Sequence, residues 1–593
     1  MYNETYKSEI FGRLMKKTDF NKSLENANVA FDNAQYSKAL SLVKKINKSP
    51  LLKTFKSVEL QANSLLKMGK SDKALAVYKE LIDLSVNDNQ RLIIYKAIGQ
   101  IEITNIAYKE ATKALESCVA IDNSLDNAEV ILQLCKLYRK QKYYSACENL
   151  ANKLKKWSNY FAPALHQLIL IAKAQNNTDL IISRTRELAN NYRHINDFYI
   201  YYSIQSFLSV DCFDEGRLLL EKAEVFLGKL PWLSRLKAEF CFENKEYQQV
   251  IELLNDNLIQ QLPSWVYKTL VHQLRGQAYE RMNLFDDAFN DFSAMAKMVK
   301  NKFKNTSVMD DVKKYMSLDI TSLPINNGYQ SKFKLAFMMG FPRSGTTLLD
   351  VILSTQTNVV TLSEVDTISY IIKLISSKLN KKYPQDLGRL TASEINVLRQ
   401  DYYDFVGQLP QAENITPDTL VVDKMPLYSI HIPLLLIMFP ESKFIFSLRH
   451  PLDVCLSNFQ QDYVINQEMY YLIELKDCAN RYNQVFNLLE RYQENLNVDL
   501  YFIKYENLVH NLPDEVSNLF NYLGVSIDGS YSSFNQFVKG EFIKTPSSKQ
   551  VKKPLYTSSI NKWKSYRAKL NDIIPLLQTH IERYGYIDEC SID

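Results

Sequence analysis

The residues best suited to chemistry lie in two short stretches about a hundred positions apart. In GFPRSGTTLLDVIL (340–353), Gly340 and Gly345 have the spacing of a phosphate-cradling loop, G-x-x-x-x-G-K-[ST], but Thr346 stands where that pattern has lysine. Backbone amides of Arg343, Ser344, Gly345, Thr346 and Thr347, at the start of a helix, form an anion nest, and the Arg343 guanidinium adds a charged fork. In FSLRHPLDVCLSNF (446–459), Arg449 closes an apolar run, Pro451 suits the first turn of a helix, and Asp453 favours the helix N-terminus. Arg449 and Ser457, eight residues apart, can bring a strand end and a second helical turn to one further phosphate.

Positioning these groups requires a sheet. From about residue 334, apolar runs of strand length alternate with longer helical stretches: KLAFMM (334–339), NVVTL (358–362), TLVV (419–422), KFIFSL (443–448) and LYFIKY (500–505). Continuous apolar strands separated by helices predict a parallel sheet covered on both faces. Ligands of such sheets sit beyond the carboxyl ends of the strands, where both stretches fall.

The first half reads differently. Residues 20–300 show amphipathic helical periodicity with little Pro or Gly and no strand-like alternation. An aromatic residue three positions before a small one recurs at Tyr36/Ala39, Tyr108/Ala111, Phe213/Gly216 and Phe285/Ala288, with Ala74 and Ala146 in phase and Tyr247/Val250 between. The steps are about 35 residues, and small residues (Ala27, Ala62, Gly99, Ala238, Gly276) often precede the marks by twelve. The spacing resembles the tetratricopeptide repeat, best seen in LRGQAYERMNLFDDAFNDF (274–292), with roughly eight units, that near 162–198 degenerate and that from 199 weak. It implies a curved solenoid over 1–303 whose concave face suits a peptide or protein partner, a purely structural arm being the other reading. A linker, 304–333, then leads to an α/β domain, 334–593.

Bulk properties restrict the remaining classes. The net charge of +5 is the difference between 71 basic and 66 acidic side chains over 593 residues, which does not argue for a nucleic-acid partner. The eight cysteines are scattered, without CxxC or zinc spacing, and read as reduced thiols. The N-terminal MYNETYKSEIFGRLMKK lacks the apolar core of a signal peptide, and the densest apolar run, IPLLLIMF (432–439), is far short of the ~20 residues a membrane span needs. The expectation is a cytoplasmic protein with no membrane span.

With both motifs in view, the domain resembles sulfotransferases. FPRSGTT is similar to their 5'-phosphosulfate loop, and RHPLDVCLS to the motif in which an Arg and a Ser grip the 3'-phosphate of 3'-phosphoadenosine 5'-phosphosulfate (PAPS). A donor with a single 5'-phosphate bearing sulfate gives the absent lysine nothing to reach. The resemblance is strongest to tyrosylprotein sulfotransferases and to proteins joining tetratricopeptide repeats to a sulfotransferase domain. It implies that Glu364, in LSEVD, is the catalytic base and that Lys424, in VVDKMP, meets the leaving group. It implies further that Tyr505, in YENL, lies near the nucleotide, and that 546–563 folds over it, with Ser548 acting in the transition state and Lys553 on phosphate. PAPS would be the co-substrate, a hydroxyl or phenol the acceptor, and no metal would be required. Asp366 stands where tyrosylprotein sulfotransferases have an Arg that holds acidic peptides, which argues against such substrates. Two other readings stay open: a P-loop kinase or NTPase with Asp423, at the end of TLVVD, holding magnesium, and a repeat scaffold with a silent domain.

Overall fold

The computed structural model describes residues 20–48, 53–105, 107–228, 230–303, 312–326, 328–466, 468–539, 545 and 547–586. The chain divides into two compact units, Met1–Ala174 with Asp179–Ile195, and Gln175–Thr178 with Asn196–Asp593. That division follows packing, whereas the boundary expected at 303 follows the end of the repeat pattern.

Among the described residues the first half forms eight helix pairs. In the first unit helix 20–32 pairs with Tyr36–Asn47, Phe55–Lys67 with Ser71–Asp83, Asp88–Thr104 with Tyr108–Ile121, and Ala128–Lys140 with Tyr144–Leu154, and Ser158–Ala174 is followed by Thr178–Ala189. In the second unit Asp197–Ser209 pairs with Phe213–Leu227, Pro231–Glu243 with Tyr247–Leu253, and α1 (Trp265–Arg281) with α2 (Phe285–Lys302). Tyr36, Tyr108, Phe213, Tyr247 and Phe285 each open the second helix of a pair, and Ala39, Ala111, Gly216, Val250 and Ala288, three residues on, are buried. One mark moves. Tyr144 opens its helix and Cys147 takes the buried position, so Ala146 lies one residue early and is only partly buried.

A backbone device repeats where the sequence varies. Two residues before the second helix stands a left-handed residue: Ala34, Gly69, Lys142, Asp211, Lys245 or Asn283, with φ between 59° and 72°. The next N–H bonds back five residues, as Gln35 to Ala30, Lys70 to Leu65, Tyr143 to Tyr138, Cys212 to Phe207, Glu246 to Cys241 and Leu284 to Tyr279. These are Schellman closures, which satisfy the last carbonyls of one helix and turn the chain at once into the next.

The α/β domain holds one five-stranded sheet, all parallel, in the order β2-β3-β1-β4-β5. The strands are β1 (Lys334–Gly340), β2 (Val359–Ser363), β3 (Leu420–Lys424), β4 (Lys443–Leu448) and β5 (Leu500–Lys504), each within two residues of an expected run. Side chains alternate between two cores. Leu335, Phe337, Met339, Val421, Phe444 and Phe446 face one, whereas Ala336, Met338, Val422, Ile445 and Ile503 face the other. Burial on both faces is what the unbroken apolar runs demand.

The helices that position the site are α3 (Thr346–Ser354), after β1, and α4 (Pro451–Phe459), after β4, with α5 (Leu475–Asn495) behind and the single turn α6 (Ser548–Val551) near the end of the chain. Within the second unit α2 joins the first core through Ala288, Phe292, Met295 and Ala296, and Phe289 meets Phe459 of α4 at 5.2 Å between ring centroids. Residues 312–333, expected as a linker, place Val312, Tyr315, Leu318, Ile320 and Phe333 in the same core, and Arg491 of α5 donates to the carbonyls of Tyr315 and Leu318. The expected linker residues 304–311 lie outside the described residues. IPLLLIMF becomes the buried helix Ile432–Met438, and among the described residues no helix is long and apolar enough to cross a membrane. Of the seven described cysteines, all but Cys212 are buried.

Candidate active site

The loop from β1 to α3 is built on backbone strain. Arg343 and Gly345 have φ of 72° and 100°, and Gly345 caps α3 without a side-chain bond, which leaves the first amides of the helix to a ligand. A Cβ on Gly345 would lie 2.7 Å from the ring of Tyr505, so glycine is required there by both torsion and space. Tyr505, at the end of β5, is pinned by its hydroxyl to Ser559 Oγ at 2.8 Å and lies under the guanidinium of Arg449 at 5.0 Å.

The two arginines converge. Arg449 donates to the Arg343 carbonyl at 3.1 Å and to the Ser559 carbonyl at 2.6 Å, while its Nε is buried with no hydrogen-bond partner. Arg343 donates to Ser457 Oγ at 3.1 Å, to Ser547 Oγ at 2.6 Å and to Gln550 Oε1 at 3.2 Å. Burial and the neighbouring Arg449 hold the Arg343 guanidinium below its ordinary pKa. Two desolvated cations and an unsatisfied donor in one place fit an anionic ligand.

The segment around α6 covers this loop. Thr545 shares a hydroxyl bond with Thr347 at 3.3 Å, and Ser547 and Gln550 take the donors of Arg343. Asp453 of α4 accepts the backbone N–H of Asn561 and of Trp563, both at 2.8 Å, and so fixes Lys562 between them. Burial pushes this carboxyl up to about 6. His450 acts as a cap and packing group, accepting the Leu452 N–H at 3.2 Å and stacking on Trp563, and burial drives its pKa down to about 3.

Arg343, Gly345, Thr347, Arg449, Ser457, Tyr505 and Lys553 all line a cavity of ≈ 630 Å³. Ser344 and Thr346 are buried and do not line it. The side chain of Ser548 lies outside the described residues.

Glu364 and Lys424 form a second group, apart from the cavity lining, at the carboxyl ends of β2 and β3. Lys424 is 0 % exposed, and its Nζ lies 3.0 Å from Glu364 Oε1 and 3.8 Å from Asp350 Oδ2. Glu364 is held at φ 51° while its N–H donates to the Lys424 carbonyl at 2.9 Å. Asp350 was missed by sequence reasoning. It projects from α3, bonds Ser363, and is pushed above the usual carboxylate range by burial, against the pull of Lys424. Its signal is a lone charge within the apolar TTLLDVILS. Because Asp350 and Thr347 share α3, that helix links this group to the cavity.

Asp423 faces the other core. Its carboxylate accepts hydroxyls from Thr367 at 2.6 Å, Tyr402 at 2.9 Å and Tyr428 at 3.2 Å. These three bonds occupy the oxygens that the kinase reading would give to magnesium, and the alternation of β3 points them away from Lys424.

Residues 336–529 match the sequence model of the sulfotransferase family. An uncharacterized protein of Aquifex aeolicus (strain VF5) is 28% identical over 258 residues, which is 42% of this chain and 33% of that protein, so the chain spans about a third of the length of this relative. Among solved structures, the sulfotransferase domain of the Synechococcus PCC 7002 olefin synthase is similar at 22% identity over 40% of this chain and 90% of its own, with a TM-score of 0.29. A tetratricopeptide repeat protein from Parabacteroides merdae is similar at 12% identity over 47% of this chain and 93% of its own, with a TM-score of 0.29.

Proposed function

We propose that the α/β domain, of the sulfotransferase family over residues 336–529, moves a sulfuryl group from PAPS to an acceptor hydroxyl or phenol. The observation that carries this reading is the convergence of Arg343, Arg449, Ser457 and Lys553 with the uncapped start of α3 on one cavity at the carboxyl edge of the sheet. The loop amides and Arg343 hold the 5'-phosphosulfate. Arg449 and Ser457 hold the 3'-phosphate, and Tyr505 packs beside the nucleotide.

Transfer is an in-line displacement in which positioning and electrostatics supply most of the acceleration. The acceptor oxygen bonds to sulfur as the bond from sulfur to the 5'-phosphate oxygen breaks, and Glu364 takes the acceptor proton. Lys424 fixes Oε1 of Glu364 and, with Arg343, Ser548 and the loop amides, stabilises charge growing on the leaving oxygens. The products are the sulfated acceptor and 3',5'-adenosine bisphosphate. Asp366, exposed two residues from Glu364, adds negative charge at this edge and disfavours acidic acceptors. The repeat array supplies a surface for a peptide or protein partner.

The test is incubation of the full chain with sulfur-labelled PAPS and fractionated cell extract. Label should pass to an acceptor fraction, and 3',5'-adenosine bisphosphate should bind without added metal. Magnesium-dependent ATP binding with no bisphosphate binding would favour the kinase reading instead, and nucleotide binding without transfer to any fraction would favour the silent scaffold.

A further inference from the structure

The cavity described above is not walled by the α/β domain alone. Gln277, Glu280 and Arg281 of α1, with Phe242, Lys245 and Tyr247 of the preceding repeat, line it too. All belong to the second compact unit. The end of α1 is clamped in place by Glu280, whose carboxylate takes Lys562 Nζ at 2.6 Å, Gln460 Nε2 at 2.7 Å and the Tyr566 hydroxyl at 2.8 Å. Gln273, two turns earlier, donates to the Gln460 carbonyl at 3.2 Å.

Arg281 follows this clamp directly and is used differently. It is exposed at the cavity wall and, among the described residues, makes no hydrogen bond or ion pair. The charges of Arg281 and Arg449 act on the same two neighbours, Lys562 and Tyr556. This end of the cavity therefore gathers four cations, Arg281, Arg343, Arg449 and Lys562, of which only Lys562 has a carboxylate. An array of repeats that served only to dock a partner would have no need of an unpaired guanidinium on a wall of this cavity.

We infer that Arg281, borne by the last repeat pair, is a nucleotide-binding residue that meets the same phosphate as Arg449, so that the repeat array completes the donor site. The inference rests on the proposed function for the identity of that phosphate. It assigns the last repeats a role in donor binding beyond partner capture, since the Glu280 clamp sets where Arg281 stands.

Calorimetric titration of the full chain and of Arg281→Ala with 3',5'-adenosine bisphosphate and adenosine 5'-monophosphate separates the possibilities. Loss of a charge-assisted phosphate contact should weaken the bisphosphate about tenfold and leave the monophosphate unchanged, with an unaltered melting temperature because Arg281 is exposed. Equal weakening of both nucleotides, or of neither, overturns the inference while the proposed function stands, provided Arg449→Ala still lowers bisphosphate affinity. A native chain that does not prefer the bisphosphate overturns both.

Discussion

At the scale of single residues, the group formed by Glu364, Lys424 and Asp350 gathers charge at the edge of the core, Lys424 and Asp350 buried and Glu364 partly exposed. A fully buried ammonium shared between two carboxylates is tolerated only because both partners lie within ion-pair reach. Glu364→Gln keeps the contact to Lys424 and removes the base, so turnover should fall by roughly 10² to 10⁴ with bisphosphate affinity retained. Single-turnover kinetics beside calorimetry reads the two effects separately, and lost binding with intact chemistry would reverse the assignment. Asp423 makes a different prediction. Burial pushes its carboxyl up to about 7 from an ordinary 3.8, so the folded chain holds a proton that the unfolded chain releases. The resulting stability is fully present below about pH 4 and is lost as pH rises through 7, a change on the order of 4 kcal/mol. Asp453, pushed up to about 6, acts in the same direction. The melting temperature should therefore drop between pH 5 and pH 8, and Asp423→Asn should flatten that slope; an unchanged slope would remove Asp423 as its source.

At the scale of elements, the strand–loop–helix unit of β1 and α3 carries the site. Its loop depends on a glycine that no other residue replaces, because Gly345 has φ of 100° and a Cβ there would lie 2.7 Å from the ring of Tyr505. Gly345→Ala should cost about 1–3 kcal/mol of stability and at least tenfold in nucleotide affinity, measurable by melting and titration. Normal binding in that variant would mean that the loop is not the phosphate cradle. Much of this unit is legible in the sequence, since KLAFMM has the length and unbroken apolar character of a buried strand and GFPRSGTT reads as a turn into a helix. The Schellman closures are not legible in the same way. Ala34, Lys142, Asp211, Lys245 and Asn283 share a backbone conformation and no chemistry, because tertiary packing of the paired helices selects the turn.

At the scale of the whole molecule, the last hundred residues of the repeat pattern and the α/β domain form one compact unit. The Glu280–Lys562 pair is central to that union, and burial holds the Lys562 ammonium below its ordinary pKa. Glu280→Ala leaves a partly buried cation without its partner and should destabilise the protein by about 1–3 kcal/mol. Adding Lys562→Met should recover most of the loss. Thermal denaturation of the two single variants and the double variant closes the cycle, and additive effects would show the pair to be incidental.

The amino-acid sequence alone determined the class of each half, the five strands and the two motifs proposed to bind the donor, since apolar periodicity, glycine spacing and paired Arg and Ser residues are local properties. Only the tertiary structure decided that Asp350 joins Glu364 and Lys424, that Asp423 turns to the opposite core, and that α1 walls the cavity. Those facts depend on which face of a strand or helix meets which neighbour, and residues such as Glu280 and Lys562, 282 positions apart in the chain, are brought together by packing that no local pattern encodes.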